Sequence, residues 1–188
     1  MTTSTLAAQP LATGQTTWTI DAAHSEVGFE VKHLMISKVR GRFGAVTGTI
    51  QLDADEPARS SVTAEIDVTS IDTRQEQRDV HLRSADFFDT ERFPAITFRS
   101  RSVERTANGF CLAGDLTIRD VTRPVVLEAT DEGRGTDPWG GERAAFSASL
   151  VIDRRAYGLT WNQALETGGV LVANEIRISL DIQAVKAA

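Results

Sequence analysis

The fold is decided by the stretch VLVANEIRISLDIQA, residues 170–184. We call the residues at every second position of such a stretch one parity. One parity here carries Val170, Val172, Ile176, Ile178, Leu180 and Ile182, and the other carries Glu175, Arg177, Ser179, Asp181 and Gln183. Successive side chains of a β-strand point to opposite faces, so the alternation predicts a strand with one apolar face and one solvated face. Asn174 is the single polar interruption of the apolar parity.

Seven further runs with this alternation precede residue 170. They cover residues 27–33, 42–53, 62–68, 96–103, 110–118, 121–130 and 144–152. Gly, Pro, Asp and Asn separate the runs, and short turns between consecutive strands favour antiparallel pairing, because a parallel crossover usually needs a helix. The sequence therefore predicts an all-β domain of eight antiparallel strands, which can stack as a sandwich or close as a barrel.

Three segments depart from the alternation. Residues 73–84 begin with Thr73-Arg74-Gln75-Glu76, the spacing of a capping box, and predict a short helix. On that helix Asp79 and Arg83 are expected to form a solvated pair, since residues four apart share a helix face. Residues 154–169 predict a long structured loop or a brief helix, and the glycine-rich residues 131–142 predict a flexible hairpin connection.

The composition excludes several classes of partner and site. The net charge is −6 and the charges are interspersed, so we expect neither a nucleic-acid-binding surface nor a polybasic membrane patch. No stretch reaches the roughly 18 apolar residues of a membrane helix. The lone Cys111 leaves no intramolecular disulfide and no cysteine-based zinc site.

Residues 1–16 are small and polar, so we expect a loosely ordered segment before a domain at residues 17–186. The missing signal-peptide pattern predicts a cytoplasmic protein.

The contents of the apolar interior stay open at this point. Several positions on the apolar parity are small, namely Gly48, Ala64, Gly114, Ala129 and Ala148, and 6% of the chain is aromatic. Few large side chains are therefore available to fill a barrel, which favours a hollow interior. Small residues also suit a tapered, filled barrel or a close approach of strands, so a packed interior is the alternative.

The ordered motifs of the chain resemble the YceI-like family. They are Asp21-Ala22-Ala23-His24-Ser25 with Val27, Phe29, Val31 and His33-Leu34; Val39-Arg40-Gly41-Arg42-Phe43; Ser70-Ile71-Asp72-Thr73; residues 78–88; Phe93-Pro94 with Ile96 and Phe98; Gly114-Asp115-Leu116-Thr117-Ile118; Tyr157-Gly158-Leu159 with Trp161-Asn162; and Gly168-Gly169 with Leu171-Val172. The resemblance extends from Trp18 to Ala184. It implies a lipocalin-like eight-stranded antiparallel barrel with one or two short helices, which holds a polyisoprenoid or a similar long-chain amphiphile, often as a homodimer.

The polar end of such a ligand has three candidate contacts. His33 continues the parity of Val27, Phe29 and Val31, which aims it at the interior or the rim, although a histidine satisfied within the fold is the alternative. Asn174 needs a hydrogen-bond partner if it is buried, and that partner is the fold or a ligand. Arg42 suits an acidic headgroup if it points inward, and otherwise it is a surface arginine.

These considerations define a predicted ligand site and its alternatives. The predicted ligand-binding residues are Val27, Phe29, Val31, His33, Arg42, Phe98, Leu116, Phe146, Trp161 and Asn174. The expected occupant is a non-covalently bound polyisoprenoid or isoprenoid quinone, carried for storage, transport or sensing, with no catalytic residue, metal or other cofactor. One alternative is a metal-dependent or hydrolytic enzyme that uses His33 and His81. Another is a packed barrel that acts as a stress-related interaction module.

Overall fold

The computed structural model describes residues 14–166 and 168–187. In this part of the chain the strands are β1 (Gln15–Ile20), β2 (Glu26–His33), β3 (Ser37–Phe43), β4 (Val46–Asp53), β5 (Ser61–Asp67), β6 (Ile71–Asp72), β7 (Ala95–Thr106), β8 (Gly109–Ile118), β9 (Val121–Thr136), β10 (Glu142–Asp153) and β11 (Val172–Lys186). The α-helix is α1 (Glu76–Arg83), and single 3-10 turns occupy Ala22–His24, Pro57–Arg59, Val68–Ser70 and Arg154–Tyr157.

Strand β11 closes the sheet into a barrel. One edge of β11 pairs with β10, and the other edge is long enough to pair with both β1 and β2. Its last residues pair with β1, where Ala184 lies opposite Ile20, and its earlier part pairs with β2, where Leu180 lies opposite Val27. Eight antiparallel strands thus form a ring in the order β1-β4-β5-β7-β8-β9-β10-β11, and β11 returns to β1. The predicted eight-stranded antiparallel barrel is confirmed. Three further strands extend the sheet from the earlier part of β11: β2 pairs with β11, β3 pairs with β2, and β6 pairs with β3.

The two ends of the barrel differ. At one end, which we call the helix end, lie α1, the β2–β3 turn and the segment after β10. The β9–β10 turn lies at the opposite end, since Arg143 of β10 pairs with Val185 of β11 while Asp153 pairs with Glu175. A turn at the start of β10 and the α1 segment therefore lie at opposite ends of the same strands.

The run at residues 42–53 is two strands rather than the predicted single strand. Phe43 ends β3 and Val46 begins β4, and both side chains are buried. A regular strand cannot send residues three apart to the same face, so the break at Gly44-Ala45 resets the alternation. The reset places Phe43 inside and its neighbour Arg42 outside.

The capping box predicted at Thr73 and Glu76 is wrong. The side chain of Gln75 caps α1 by accepting a hydrogen bond of 2.5 Å from the Arg78 amide. Thr73 instead donates its hydroxyl and its amide to Asp79, a side chain that is 5% exposed. A buried carboxylate must be hydrogen-bonded, and this requirement outweighs the local capping pattern.

The predicted solvated pair of Asp79 and Arg83 is also wrong. Asp79 is buried against Thr73, whereas Arg83 donates to the carbonyl oxygens of Thr69 and Ile71. These bonds fasten the last turn of α1 to the segment that leads into and includes β6. Polar contacts from two successive turns of the helix thereby hold it against residues 69–73.

Two further segment boundaries differ from the sequence expectations. The predicted flexible connection at residues 131–142 is mostly strand, because β9 runs to Thr136, with a register shift opposite Ala145 and Phe146 that leaves Glu132 without an opposite residue. Gln15 and Thr16 pair with Asp53 and Leu52, so β1 starts within the segment expected to be loosely ordered. Residues 1–13 of that segment lie outside the described residues.

The apolar interior consists of two clusters rather than one packed core. The cluster at the helix end includes Val27, Phe43 and Phe87, and the cluster at the other end includes Trp18 and Phe110. Partly buried side chains pack against both clusters, namely Phe98, Val125, Leu150, Leu180 and Ile182. Their incomplete burial marks the space that separates the clusters.

Candidate ligand-binding cavity

A cavity of about 240 Å³ occupies the barrel interior. It is larger than the roughly 150 Å³ apolar cavity that is enough to bind benzene in a packed core. Of the described residues that line it, all but three are apolar, and the three exceptions are Gly28, Ser60 and Arg154. Water molecules would find few hydrogen-bond partners on such walls, so the cavity suits an apolar molecule.

The inward parity of the barrel strands supplies the walls. β11 contributes Val172, Ile176, Ile178, Leu180 and Ile182, and β10 contributes Phe146, Ala148, Leu150 and Ile152. Leu82 of α1, with Phe87 and Phe88 just after it, closes the lining at the helix end. Phe88 meets Phe43 of β3 edge-on with ring centroids 5.9 Å apart, which fixes this cap against the wall.

The small inward residues serve two different purposes. Ala64, Ala129 and Ala148 line the cavity and leave it open. Gly114 instead makes room for the ring of Phe98, since a Cβ on Gly114 would lie 2.6 Å from Phe98 Cζ. Gly48 likewise accommodates the backbone of Thr63 on the paired strand β5. Both interpretations of the small residues therefore hold, at different positions.

Most of the predicted apolar site residues lie on the cavity wall. Val27, Phe29, Val31, Phe98, Leu116 and Phe146 are all lining residues. Their contact with a ligand stays a prediction. Their common position follows from the alternation alone, because each lies on the inward parity of its strand.

His33 and Asn174 are not among the residues that line the cavity. His33 ends β2 at the turn, where Val172 lies opposite it, and Val31 is the last residue of β2 on the wall. Asn174 lies in a register shift of β11 between Val172 and Ile176, where β11 leaves its regular pairing with β2. A role for either residue at the ligand's polar end stays a prediction.

Arg42 points away from the cavity. Its guanidinium lies 3.2 Å from Glu26 and 3.3 Å from Asp72, and its side chain is 51% exposed. These two carboxylates raise the pKa of Arg42, with Glu26 the larger cause. Arg42 is therefore a surface arginine and does not point inward. The strand break after Phe43 is the reason, because it changes the face to which Arg42 points.

Trp161 lies one layer away from the cavity. Its ring is 5.3 Å from Phe87, which does line the cavity, and 4.7 Å from His81 of α1. Trp161 therefore supports the cap at the helix end from behind, whereas the sequence analysis expected it to contact the ligand. A ligand contact of Trp161 stays a prediction.

Arg154 is the charged residue of the cavity wall, and the sequence analysis missed it. Its side chain is 3% exposed. The guanidinium donates to four backbone carbonyls, those of Ala173 (2.9 Å), Leu159 (2.6 Å), Trp161 (2.9 Å) and Val172 (3.3 Å). The bonds tie the segment after β10 to the start of β11. The signal was present in the sequence, because Arg154 continues the inward parity of Leu150 and Ile152.

The electrostatics of Arg154 are unusual for a buried cation. Burial lowers its pKa from the usual value, although an arginine stays protonated at neutral pH. The carboxylate of the adjacent Asp153 pairs with Arg155 at 2.6 Å, so carbonyl dipoles surround the charge of Arg154. Of the five N–H groups of a guanidinium, four are used, and one on Nη2 has no partner among the described residues.

The three histidines lie on separate elements, and two of them pair with separate carboxylates. His24 lies 2.9 Å from Asp21 in the β1–β2 connection, and His81 lies 2.9 Å from Asp86 beside α1. Within residues 14–166 and 168–187, no group of three or more His, Cys, Asp or Glu side chains is placed to hold a metal ion. Among these residues the geometry thus does not bring His33 and His81 together with further metal ligands, as the metal-dependent form of the enzyme alternative requires.

A model of the YceI-like domain matches residues 18–184. The chain belongs to the YceI-like family. In sequence it is 44% identical over 139 residues to the protein named YceI of Escherichia coli O17:K52:H18, which covers 74% of this chain and 73% of that protein. The resemblance identified from the motifs is confirmed, and the barrel described above is this family's domain in the present chain.

Two solved structures share the fold of this YceI-like chain. BcnA of Burkholderia cenocepacia superposes with a TM-score of 0.76 at 24% identity, over 87% of this chain and 98% of BcnA. A polyisoprenoid binding domain from Saccharophagus degradans, implicated in plant cell wall breakdown, gives a TM-score of 0.67 at 14% identity, over 90% of this chain and 98% of that domain. Identities this low support a common fold alone. In the described part of this YceI-like chain, no helix has the length and apolar character to cross a membrane.

Proposed function

We propose that this protein binds one long-chain amphiphilic lipid, a polyisoprenoid or an isoprenoid quinone, with its tail in the barrel cavity, for storage, transport or sensing. The observation that carries the proposal is the cavity of about 240 Å³ whose walls are carbon except at Gly28, Ser60 and Arg154. Membership of the YceI-like family and the polyisoprenoid binding domain of the same fold support it.

The tail supplies the affinity. Each methylene that leaves water contributes about 0.8 kcal/mol, so a few isoprene units offset the association and ordering costs of binding. The walls carry aromatic side chains, such as Phe29, Phe98 and Phe146, together with branched aliphatic ones. Such walls suit the methyl branches of an isoprenoid chain. The cavity has space left between its two apolar clusters, which disfavours the alternative of a packed barrel.

Arg154 provides the polar contact for the headgroup. It is the one charged residue of the wall, and it has an N–H group to donate after its four backbone bonds. A carbonyl or phosphate oxygen of the headgroup would accept this bond in a site shielded from water, where a charge-assisted hydrogen bond is strong. Arg154 thus joins the candidate contacts for the polar end of the ligand, where a role for His33 and Asn174 stays a prediction.

The test is to identify what the protein carries. Purified protein is denatured and extracted with organic solvent, and the extract is analysed by mass spectrometry. We expect an apolar chain of isoprenoid type at close to one molecule per chain. Protein that is reproducibly empty and takes up neither a prenyl alcohol nor an isoprenoid quinone would sink the proposal. Extract from protein with Ala148 replaced by leucine is the matched control, because this substitution narrows the cavity and should lower the yield of lipid.

A further inference from the structure

The turn between β2 and β3 presents three consecutive apolar side chains to solvent. We call Leu34, Met35 and Ile36 the hairpin tip, and their exposed fractions are 37%, 52% and 86%. Large contiguous apolar patches mark interaction sites, whereas apolar residues scattered singly over a surface are normal. Backbone hydrogen bonds hold the tip in place: the Leu34 amide donates to the Leu171 carbonyl at 2.9 Å, and the Ile36 amide donates to the His33 carbonyl at 3.2 Å.

The backbone of the hairpin tip is strained by its own sequence. Leu34 and Met35 have φ angles of +53° and +61°, in the left-handed region that favours Gly, Asn and Asp. An Asn-Gly pair would make the same turn at lower cost. Large apolar residues at both positions thus lower stability, and an observed outlier of this kind points to a use of the side chains.

Cations flank the hairpin tip on both strands. Lys32 of β2 and Lys38 of β3 lie directly opposite each other, and Arg40 lies two residues further along β3. Like charges in opposite positions repel. Glu30 is the carboxylate that contacts this set, and it pairs with both Lys38 (2.6 Å) and Arg40 (3.0 Å). Three cations share one anion here, in a protein whose net charge is −6.

The hairpin tip lies at the helix end of the cavity. Val31 lines the cavity and precedes Leu34, the first residue of the tip, by three residues, and Val172, another lining residue, lies opposite His33. Arg154 donates to the Val172 carbonyl, so the polar end of the cavity is beside the same turn. A lipid that leaves or enters the cavity near Val31 and Val172 would pass beside the hairpin tip.

We propose that the hairpin tip docks the protein on an anionic lipid bilayer, with Leu34, Met35 and Ile36 inserted among the acyl chains and Lys32, Lys38 and Arg40 at the phosphate groups. Insertion removes the exposed apolar area from water, and the phosphates relieve the repulsion between Lys32 and Lys38. The inference rests on the proposed function for its purpose, since a bilayer is where a lipid carrier meets its cargo. The docking itself does not depend on what the cavity holds.

The experiment measures flotation of the protein with vesicles of phosphatidylcholine that contain about 30% phosphatidylglycerol and no isoprenoid. The wild type should float, and less of it should float at high salt. A variant with Leu34→Asn, Met35→Gly and Ile36→Ser should lose vesicle binding by about tenfold or more. Because the first two changes relieve the strained turn, the same variant should melt at an equal or higher temperature. If the tip residues served only the fold, their replacement would lower the melting temperature.

Trp139→Ser is the matched control. Trp139 is 87% exposed at the β9–β10 turn, at the opposite end of the barrel, and its removal should leave flotation unchanged. Lys32→Glu with Lys38→Glu should weaken flotation with anionic vesicles. A wild type that fails to float, or a tip variant that floats as well as the wild type, overturns the docking proposal. Lipid uptake from solvent is measured separately on the same proteins, so an empty cavity overturns the proposed function instead.

Discussion

The Nη1 atom of Arg154 lies 2.6 Å from the carbonyl oxygen of Leu159, and this is one of four bonds from a guanidinium that is 3% exposed. An arginine at the end of an apolar cavity therefore holds together the segment that follows β10. The bonds join this segment to the first residues of β11, at the end of the barrel where the cap of α1 also lies. In the proposed function the same side chain also contacts the headgroup of the ligand.

Removal of the Arg154 guanidinium should destabilise the protein. Arg154→Met leaves four buried carbonyl groups without their donor, and we expect the free energy of unfolding to fall by about 3–5 kcal/mol. Urea denaturation followed by circular dichroism measures the change. Arg155→Met is the control, because Arg155 is exposed and pairs with Asp153 at the surface, so its loss should cost far less than the loss of Arg154. Equal effects of the two substitutions would contradict the role of Arg154.

A larger side chain at Ala148 should exclude ligand rather than disturb the fold. Ala148→Leu extends into the cavity, so the unfolding free energy should change by less than about 1 kcal/mol. A tail that loses contact for about two methylenes binds roughly tenfold more weakly. Titration with an isoprenoid quinone, followed by quenching of tryptophan fluorescence, measures the affinity. The exposed neighbour Ser149 provides the control variant Ser149→Leu, and weakened binding in that variant would argue against this location of the tail.

A methyl group on Gly114 should be costly. It would collide with the ring of Phe98 and the carbonyl of Arg99, and we expect Gly114→Ala to lower the free energy of unfolding by about 1–3 kcal/mol. Gly135→Ala is the matched control, because a Cβ there meets open space on a strand. Thermal melting distinguishes the two. If Gly114→Ala melts with the wild type, the ring of Phe98 does not pack on this glycine.

Acid should weaken the contact between Asp21 and Arg143. Hydrogen bonds from Arg143, and then from His24, lower the pKa of Asp21 from 3.8 to about 2. Since this pKa is lower in the folded protein than in the unfolded chain, the contribution to stability is complete above pH of about 4 and is lost as the pH falls towards about 2. Asp21→Asn should therefore cost about 1–2 kcal/mol at pH 7 and close to nothing at pH 2.

A double-mutant cycle provides the control for the Asp21 prediction. Arg143 also contacts Asp137 at 2.9 Å, so its replacement alone removes more than one bond. Asp21→Asn introduced into an Arg143→Met background should change the unfolding free energy much less than it does in the wild type. The same pH dependence in both backgrounds would show that Arg143 is not the cause.

Parts of this site were predictable from local sequence. Val27, Phe29, Leu116 and Phe146 lie on the cavity wall because side chains of regular strands alternate, and alternation is visible in the sequence. Arg154 was predictable by the same rule, as the residue two places after Ile152. It was missed because a charged residue beside Arg155 is ordinarily a surface residue, and only the four carbonyls contributed by Leu159, Trp161 and the start of β11 make its burial tolerable.

The positions of Arg42 and Asn174 could not be predicted in this way. Arg42 points to solvent because the chain breaks at Gly44-Ala45, and Asn174 lies in a register shift where β11 pairs with β2. Both irregularities depend on which strand lies alongside, and each displaces a side chain from the position that regular alternation predicts. Local alternation carries no information about such shifts.

The sequence by itself determined that this chain forms antiparallel strands with one apolar face, and its motifs identified the family. Those properties follow from local alternation and from the order of residues along the chain. The tertiary structure decided that β11 pairs with both β1 and β2 to close the barrel, that the interior keeps a cavity between two clusters, and that Arg154 rather than Arg42 lies on its wall. These depend on contacts between residues far apart in sequence, such as Arg154 with Val172, whose geometry exists only after the strands have paired.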